Sequence, residues 1–172
     1  MTDVQKTEVP IRVAVLTVSD RGALGEREDL SGKVIIEIVE EQGWEVIYYD
    51  VVPDDVELLK EELQKLADVT QASLILTTGG TGIAPSDFTP EATLAIIHKE
   101  VPGLAEAMRK ESMVKTPHAM LSRAVCGIRG STLIINLPGS PRAVRECLEI
   151  VLPAIPHAAD LLRGAVTDCG TP

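Results

Sequence analysis

Thr77-Thr78-Gly79-Gly80-Thr81-Gly82 interleaves three threonines with three glycines. Hydroxyls and backbone N–H groups donate to anions, and glycine lets the backbone come close to a ligand at positive φ. The apolar run Leu74-Ile75-Leu76 just before it reads as a buried strand. Downstream, Thr89-Pro90 reads as a helix N-cap followed by proline in the first helical position. The segment thus joins a strand end to a helix start, where the helix dipole favours negative charge. The chemistry that fits is the holding of a phosphate. A plain tight turn is the structural alternative, and the repeated Thr/Gly alternation favours the phosphate. Two familiar phosphate loops are excluded by spacing. The second glycine of a P-loop would fall at Ala84 or Pro85, and the third glycine of a dinucleotide fingerprint would fall at Pro85.

Two aspartates stand near this loop in the pattern. Pro53-Asp54-Asp55 precedes a helix that needs one cap, so one carboxylate is left over. Asp87 precedes a helix that Thr89 is expected to cap, which frees Asp87 as well. A carboxylate beside a phosphate loop is unfavourable unless a cation lies between them. Mg²⁺ meets that need with one or two carboxylates plus phosphate oxygens. Ser19-Asp20-Arg21 offers a hydroxyl and a guanidinium to a second anion. The bland alternative is an Arg21–Asp20 or Arg21–Asp29 surface pair, worth little. Asp29-Leu30-Ser31-Gly32 reads as a helix start with Ser31 as the cap, and Leu121-Ser122-Arg123 as a polar strand entry.

These residues need a frame. The chain has 172 residues, 45% of them hydrophobic and 24% charged, which fits one globular domain with a full core. Residues 1–10 and 165–172 read as flexible tails around a single domain over 11–164. One Trp, two Tyr and one Phe leave an aliphatic core. No apolar run reaches the length of a membrane span, and the N-terminus lacks a signal-peptide pattern. Three widely spaced cysteines without metal spacing point to reduced thiols and a cytoplasmic location. A net charge of −10 argues against nucleic-acid binding.

Strand patterns over Ile11–Val18, Trp44–Val52, Leu74–Leu76, Arg123–Arg129 and Thr132–Leu137 alternate with helical stripes. The stripes begin near Ser31, Asp55, Pro90, Leu104 and Pro141, with restarts at Pro153 and Pro156. The expected fold is α/β, a doubly wound three-layer sandwich whose sheet is mostly parallel with one antiparallel strand. Ligands in such sheets sit at the carboxyl ends of the strands. Four loops fall there: Ser19–Gly22, Pro53–Asp55, Thr77–Asp87 and Asn136-Leu137-Pro138-Gly139-Ser140-Pro141.

In order, these motifs resemble the molybdenum cofactor biosynthesis family of the MogA/MoaB type, related to the gephyrin and plant Cnx G domains. The segments that carry the resemblance are Ser19-Asp20-Arg21, Asp29-x-Ser31-Gly32, Pro53-Asp54, Thr77 to Gly82, Asp87-x-Thr89-Pro90, Leu121-Ser122-Arg123 and Leu137 to Pro141. The resemblance implies molybdopterin adenylyltransferase activity. The molybdopterin phosphate would take AMP from ATP with Mg²⁺, and pyrophosphate would leave. It implies Asp54 and Asp87 as catalytic and metal-binding residues. It implies substrate contacts from Ser19, Asp20, Arg21, Asp29, Ser31, Gly32, Thr77, Thr78, Gly79, Gly80, Thr81, Gly82, Ser122, Arg123, Asn136, Pro138, Gly139 and Ser140. It further implies a homotrimer and a molybdenum-insertion enzyme as the receiver of product. A non-catalytic molybdopterin carrier of the MoaB type is the alternative. A nucleotide pyrophosphatase domain like that of the competence-damage proteins is a third reading.

Overall fold

The structure, a computed structural model, describes residues 9–165. The expected tails fall outside the described residues apart from Val9, Pro10 and Ala165. Six strands form one sheet: β1 (Arg12–Val18), β2 (Glu45–Val52), β3 (Leu74–Thr78), β4 (Lys99–Glu100), β5 (Cys126–Arg129) and β6 (Thr132–Leu137). Their spatial order is β2-β1-β3-β6-β5-β4. β2, β1, β3 and β6 run parallel. β5 pairs antiparallel with both β6 and β4, so it alone runs against the other five.

The alternation of side chains along the strands divides the core in two. On one face Val13, Val15, Leu74, Leu76, Leu133 and Ile135 pack against four helices. These are α2 (Leu30–Glu41), α5 (Pro102–Met113), α6 (Pro141–Val151) and α7 (Ile155–Leu162). On the other face Ala14, Leu16, Ile75 and Ile134 pack against α3 (Val56–Asp68) and α4 (Thr89–Ile96). The result is the three-layer sandwich expected from the pattern, with an aliphatic core.

Several local expectations shift. The Ser19–Gly22 loop contains one helical turn, α1 (Asp20–Ala23), capped by Ser19. α2 is capped by Asp29 and not by Ser31, because the Asp29 carboxylate reaches Gly32 N–H at 2.9 Å. Ser31 is thereby released, and its hydroxyl donates to the Gly139 carbonyl at 2.7 Å. α4 has no side-chain cap, since Thr89 sits inside the helix and donates instead to the Gly79 carbonyl. Ser140 caps α6, as the pattern predicts, and of the two aspartates the pattern offers to α3 it is Asp55 that caps it. The two-residue strand β4 carries no periodicity long enough to find in sequence.

Leu76 is fully buried at the centre of β3. Leu76→Ala is expected to cost about 2–5 kcal/mol in urea unfolding, with the denaturant slope unchanged. A loss under about 0.5 kcal/mol, the range of surface substitutions, would contradict this packing.

Candidate active site

β2, β1, β3 and β6 are parallel neighbours, so the four loops after them lie along one edge of the sheet. The segment 79–82 is held there by its carbonyls. Thr89 Oγ1 donates to Gly79 O at 2.9 Å, and Thr89 N to Gly80 O at 3.1 Å. Arg123 N donates to Thr81 O at 2.8 Å, and Arg123 Nε to Gly82 O at 2.6 Å. In a trans peptide the N–H points opposite to the C=O of the same plane. Four carbonyls drawn into the protein therefore turn the N–H groups of Gly80, Thr81, Gly82 and Ile83 away from it. Among the described residues none accepts a hydrogen bond from these four N–H groups. Successive outward N–H groups form a concave site for an anion. Gly79 and Gly80 have φ of +93° and +67°, which favours glycine at both positions.

The threonines do less at the surface than their sequence positions suggest. Thr78 Oγ1 donates to Pro138 O at 2.6 Å, tying the glycine loop to the loop after β6. Thr77 is fully buried and accepts from Asn136 Nδ2 at 2.9 Å. Asn136 also donates to Thr93 Oγ1 at 3.0 Å and accepts from Val125 N–H at 3.1 Å, so its amide is spent inside the core. Thr81 remains at the wall of a cavity.

Two cavities flank the loop. One, of about 320 Å³, is lined by Thr17, Val18 and Ser19 from the end of β1 and by Thr78 and Gly79 from the end of β3. It lies where the strand order reverses, the usual ligand position in doubly wound sheets. Asp29 and Ser31 belong to its wall. The Asp29 carboxylate is filled by Thr17 Oγ1 and Tyr49 OH, each at 2.7 Å, and by Gly32 N–H. A Cβ at Gly32 would run into that carboxylate. Asp29 therefore shapes the wall, and neither of the alternative Arg21 pairs, with Asp20 or with Asp29, forms among the described residues. The second cavity, of about 430 Å³, runs from Gly80, Thr81 and Gly82 past Asp87 and Ser122 to Ala105, Met108, Arg109 and Cys147. Pro138 lines this cavity, and Gly139 lines both.

Both candidate carboxylates stand against the glycine loop. A Cβ on Gly80 would lie 3.0 Å from Asp54 Oδ1, and one on Gly82 would lie 2.8 Å from Asp87 Oδ2. Asp87 Oδ2 accepts from Ala84 N–H at 2.9 Å. Asp54 Oδ1 is buried without a hydrogen-bond partner. Asp20 accepts from Asp54 N–H at 2.9 Å and adds a third carboxylate nearby. Burial first, then repulsion from Asp20 and Asp87, lifts the Asp54 carboxyl above its ordinary range. A buried carboxylate oxygen without a partner is relieved by a proton or by a cation. Among the described residues no group of three or more His, Cys, Asp or Glu could hold a metal alone. A cation at Asp54 and Asp87 would take its remaining ligands from water and phosphate oxygens, as Mg²⁺ does.

Arg123 is placed beside the loop but is committed to it. Besides its two bonds to residues 81 and 82, Nη2 donates to Asp87 O at 2.8 Å, and Nη1 pairs with the Glu91 carboxylate. Ser122 lines the larger cavity. Arg109 lines it too and went unmarked in the sequence. Its one signal was the stripe Ala105, Met108, Arg109, Ser112 on a single helical face.

A family described as "probable molybdopterin binding domain" matches residues 14–157. The chain belongs to this family. It is 48% identical over 156 residues to molybdopterin adenylyltransferase of Helicobacter pylori, covering 90% of this chain and 89% of that one. It is 35% identical to molybdopterin adenylyltransferase of Escherichia coli, covering 90% and 86%. The crystal structure of the molybdopterin biosynthesis enzyme MoaB from Thermus thermophilus superposes with a TM-score of 0.85 at 52% identity, over 90% and 97% of the two chains.

The carboxyl of Asp54 gives a stability signature. Its folded-state pKa lies above the unfolded value, so its contribution is complete below about pH 4 and is lost as pH rises through the raised value. Asp54→Asn is expected to melt at or above the parent chain at neutral pH, with the gap closing below about pH 4. Asp55→Ala, which removes the α3 cap, is expected to cost about 1 kcal/mol. The reverse ranking in thermal melts would make Asp54 the residue that holds the helix start.

Proposed function

We propose that this protein is a molybdopterin adenylyltransferase of molybdenum cofactor biosynthesis. A phosphate oxygen of molybdopterin attacks the α-phosphorus of ATP, the bond to the β-phosphate breaks, and pyrophosphate leaves. The observation that carries the reading is the carbonyl-anchored loop at residues 79–82. It turns four N–H groups outward between two cavities and beside an unpartnered carboxylate oxygen. A reaction that joins two phosphorylated substrates needs two pockets that meet at one anion site. The relatives named molybdopterin adenylyltransferase support the same chemistry.

The work of this chain is positioning and charge management, which dominate phosphoryl-type transfer. The outward N–H groups hold a phosphate without a mobile side chain. The Thr78–Pro138 and Ser31–Gly139 bonds keep the glycine loop and the loop after β6 at a fixed spacing. Mg²⁺ bound at Asp54 and Asp87 would neutralise charge on the triphosphate. The raised Asp54 carboxyl fits that cation, because its low-dielectric site lacks a positive partner. No nucleophilic side chain is required.

The same proposal includes a homotrimer, a cytoplasmic setting and hand-over of product to a molybdenum-insertion enzyme. The buried free thiols of Cys126 and Cys147 support a reducing setting, and burial pushes the Cys126 thiol up to about 12, so it stays protonated. None of the described helices is long and apolar enough to cross a membrane. Light scattering at micromolar concentration is expected to return three times the chain mass, and a monomer would remove the trimer.

Asp87→Asn tests the reaction. The amide oxygen can still accept from Ala84 N–H, so the loop keeps its shape while a charge is lost. Mg²⁺-dependent pyrophosphate release is expected to fall on the order of 10²-fold or more, with molybdopterin binding intact. Full activity in the variant would take this carboxylate out of the reaction. A parent chain that binds molybdopterin but releases no pyrophosphate from ATP would be a carrier.

A further inference from the structure

The site must attract anions in a chain whose net charge is −10. Charge compensation must therefore be local. The sequence offers the Arg21 guanidinium and, through the family resemblance, Arg123, but each of the three Arg123 guanidinium nitrogens already bonds a protein group. Among the residues lining the larger cavity, Arg109 is the only Lys or Arg. Among the described residues no carboxylate lies within ion-pairing distance of it. The cavity wall also carries two carboxylates, Asp87 and Glu146, and among the described residues Asp87 has no ion-pair partner. Glu146 is itself paired with Lys115 and Arg142.

Arg109 is also pre-oriented. It is half-buried on α5, and its Nη1 donates to Ala124 O at 3.0 Å and to Ser122 O at 3.4 Å. A guanidinium has five N–H donors in a fixed plane, so a head pinned through Nη1 still has Nε and Nη2 to offer. Such a fork matches the oxygens of a phosphoryl group. We propose that Arg109 binds a phosphoryl oxygen of the substrate lodged in this cavity. The proposal rests on the adenylyl-transfer reading of the site and adds a binding residue to it.

Both substrates carry phosphate, so the test has two arms. Dissociation constants for molybdopterin and for ATP are measured by calorimetry at low salt, beside melting temperatures. Arg109→Gln keeps an amide donor for the Ser122 and Ala124 carbonyls and removes the charge. It is expected to weaken one of the two substrates about tenfold or more. Arg109→Lys, which keeps the charge, is expected to stay nearer the parent chain. The loss in the Gln variant is expected to shrink as salt is raised. The arm that loses affinity identifies whose phosphate Arg109 holds. Unchanged affinity for both substrates in Arg109→Gln would overturn the proposal. So would equal losses in the Gln and Lys variants together with a lowered melting temperature, because Arg109 would then only brace the segment after α5. The readout is binding, so a parent chain that binds without transferring AMP refutes the reaction while the Arg109 result stands on its own.

Discussion

A planar trans peptide cannot point its C=O and its N–H the same way, and this site depends on that constraint. Thr89 and Arg123 take the four carbonyls of residues 79–82. The donor face is then fixed without any side chain reaching into it. The arrangement costs little entropy when an anion arrives, because the donors are already immobile. It also explains why glycine is needed at two points. A Cβ on Gly79 would run into the Val18 carbonyl, and one on Gly80 into Thr89 Oγ1. Both would disturb the groups that hold the loop, at backbone angles that other residues resist.

Anchoring of this kind works only if the anchors are themselves rigid. Thr89 lies in the first turn of α4, fully buried, with Thr93 Oγ1 donating to its carbonyl at 2.9 Å. Arg123 is pinned by Glu91 from the same helix. α4 thus serves as the strut of the glycine loop. On the other flank the loop after β6 is tied by Thr78 and Ser31, from β3 and α2. The site is built from elements on both faces of the sheet, which ties its geometry to the integrity of both core clusters.

Asp54 shows the opposite policy. Its carboxylate oxygen is left buried and unpaired, which opposes folding. The neighbouring Asp55 already caps α3, so Asp54 has no structural duty to explain its place. A buried, unpaired oxygen with no capping role is the kind of local cost that concentrates at binding sites.

The sequence by itself determined the layers, the strand-to-helix loops and the family. Continuous aliphatic runs and stripes of period 3.6 are local signals, and Ser140 and Asp55 cap the helices that follow them for reasons within one turn. The tertiary structure alone decided which polar groups face inward. Asn136 looked like a loop residue able to meet substrate, but its partners Thr77 and Thr93 lie 59 and 43 positions away. Arg123 looked free, and its partners at Gly82 and Asp87 lie 41 and 36 positions away. Arg109 carries no motif in the sequence, and the fold sets it at the cavity wall, without a carboxylate partner among the described residues. Hydrogen-bond partners are chosen by the order of strands in the sheet, and strand order is a property of long-range packing that no local pattern encodes.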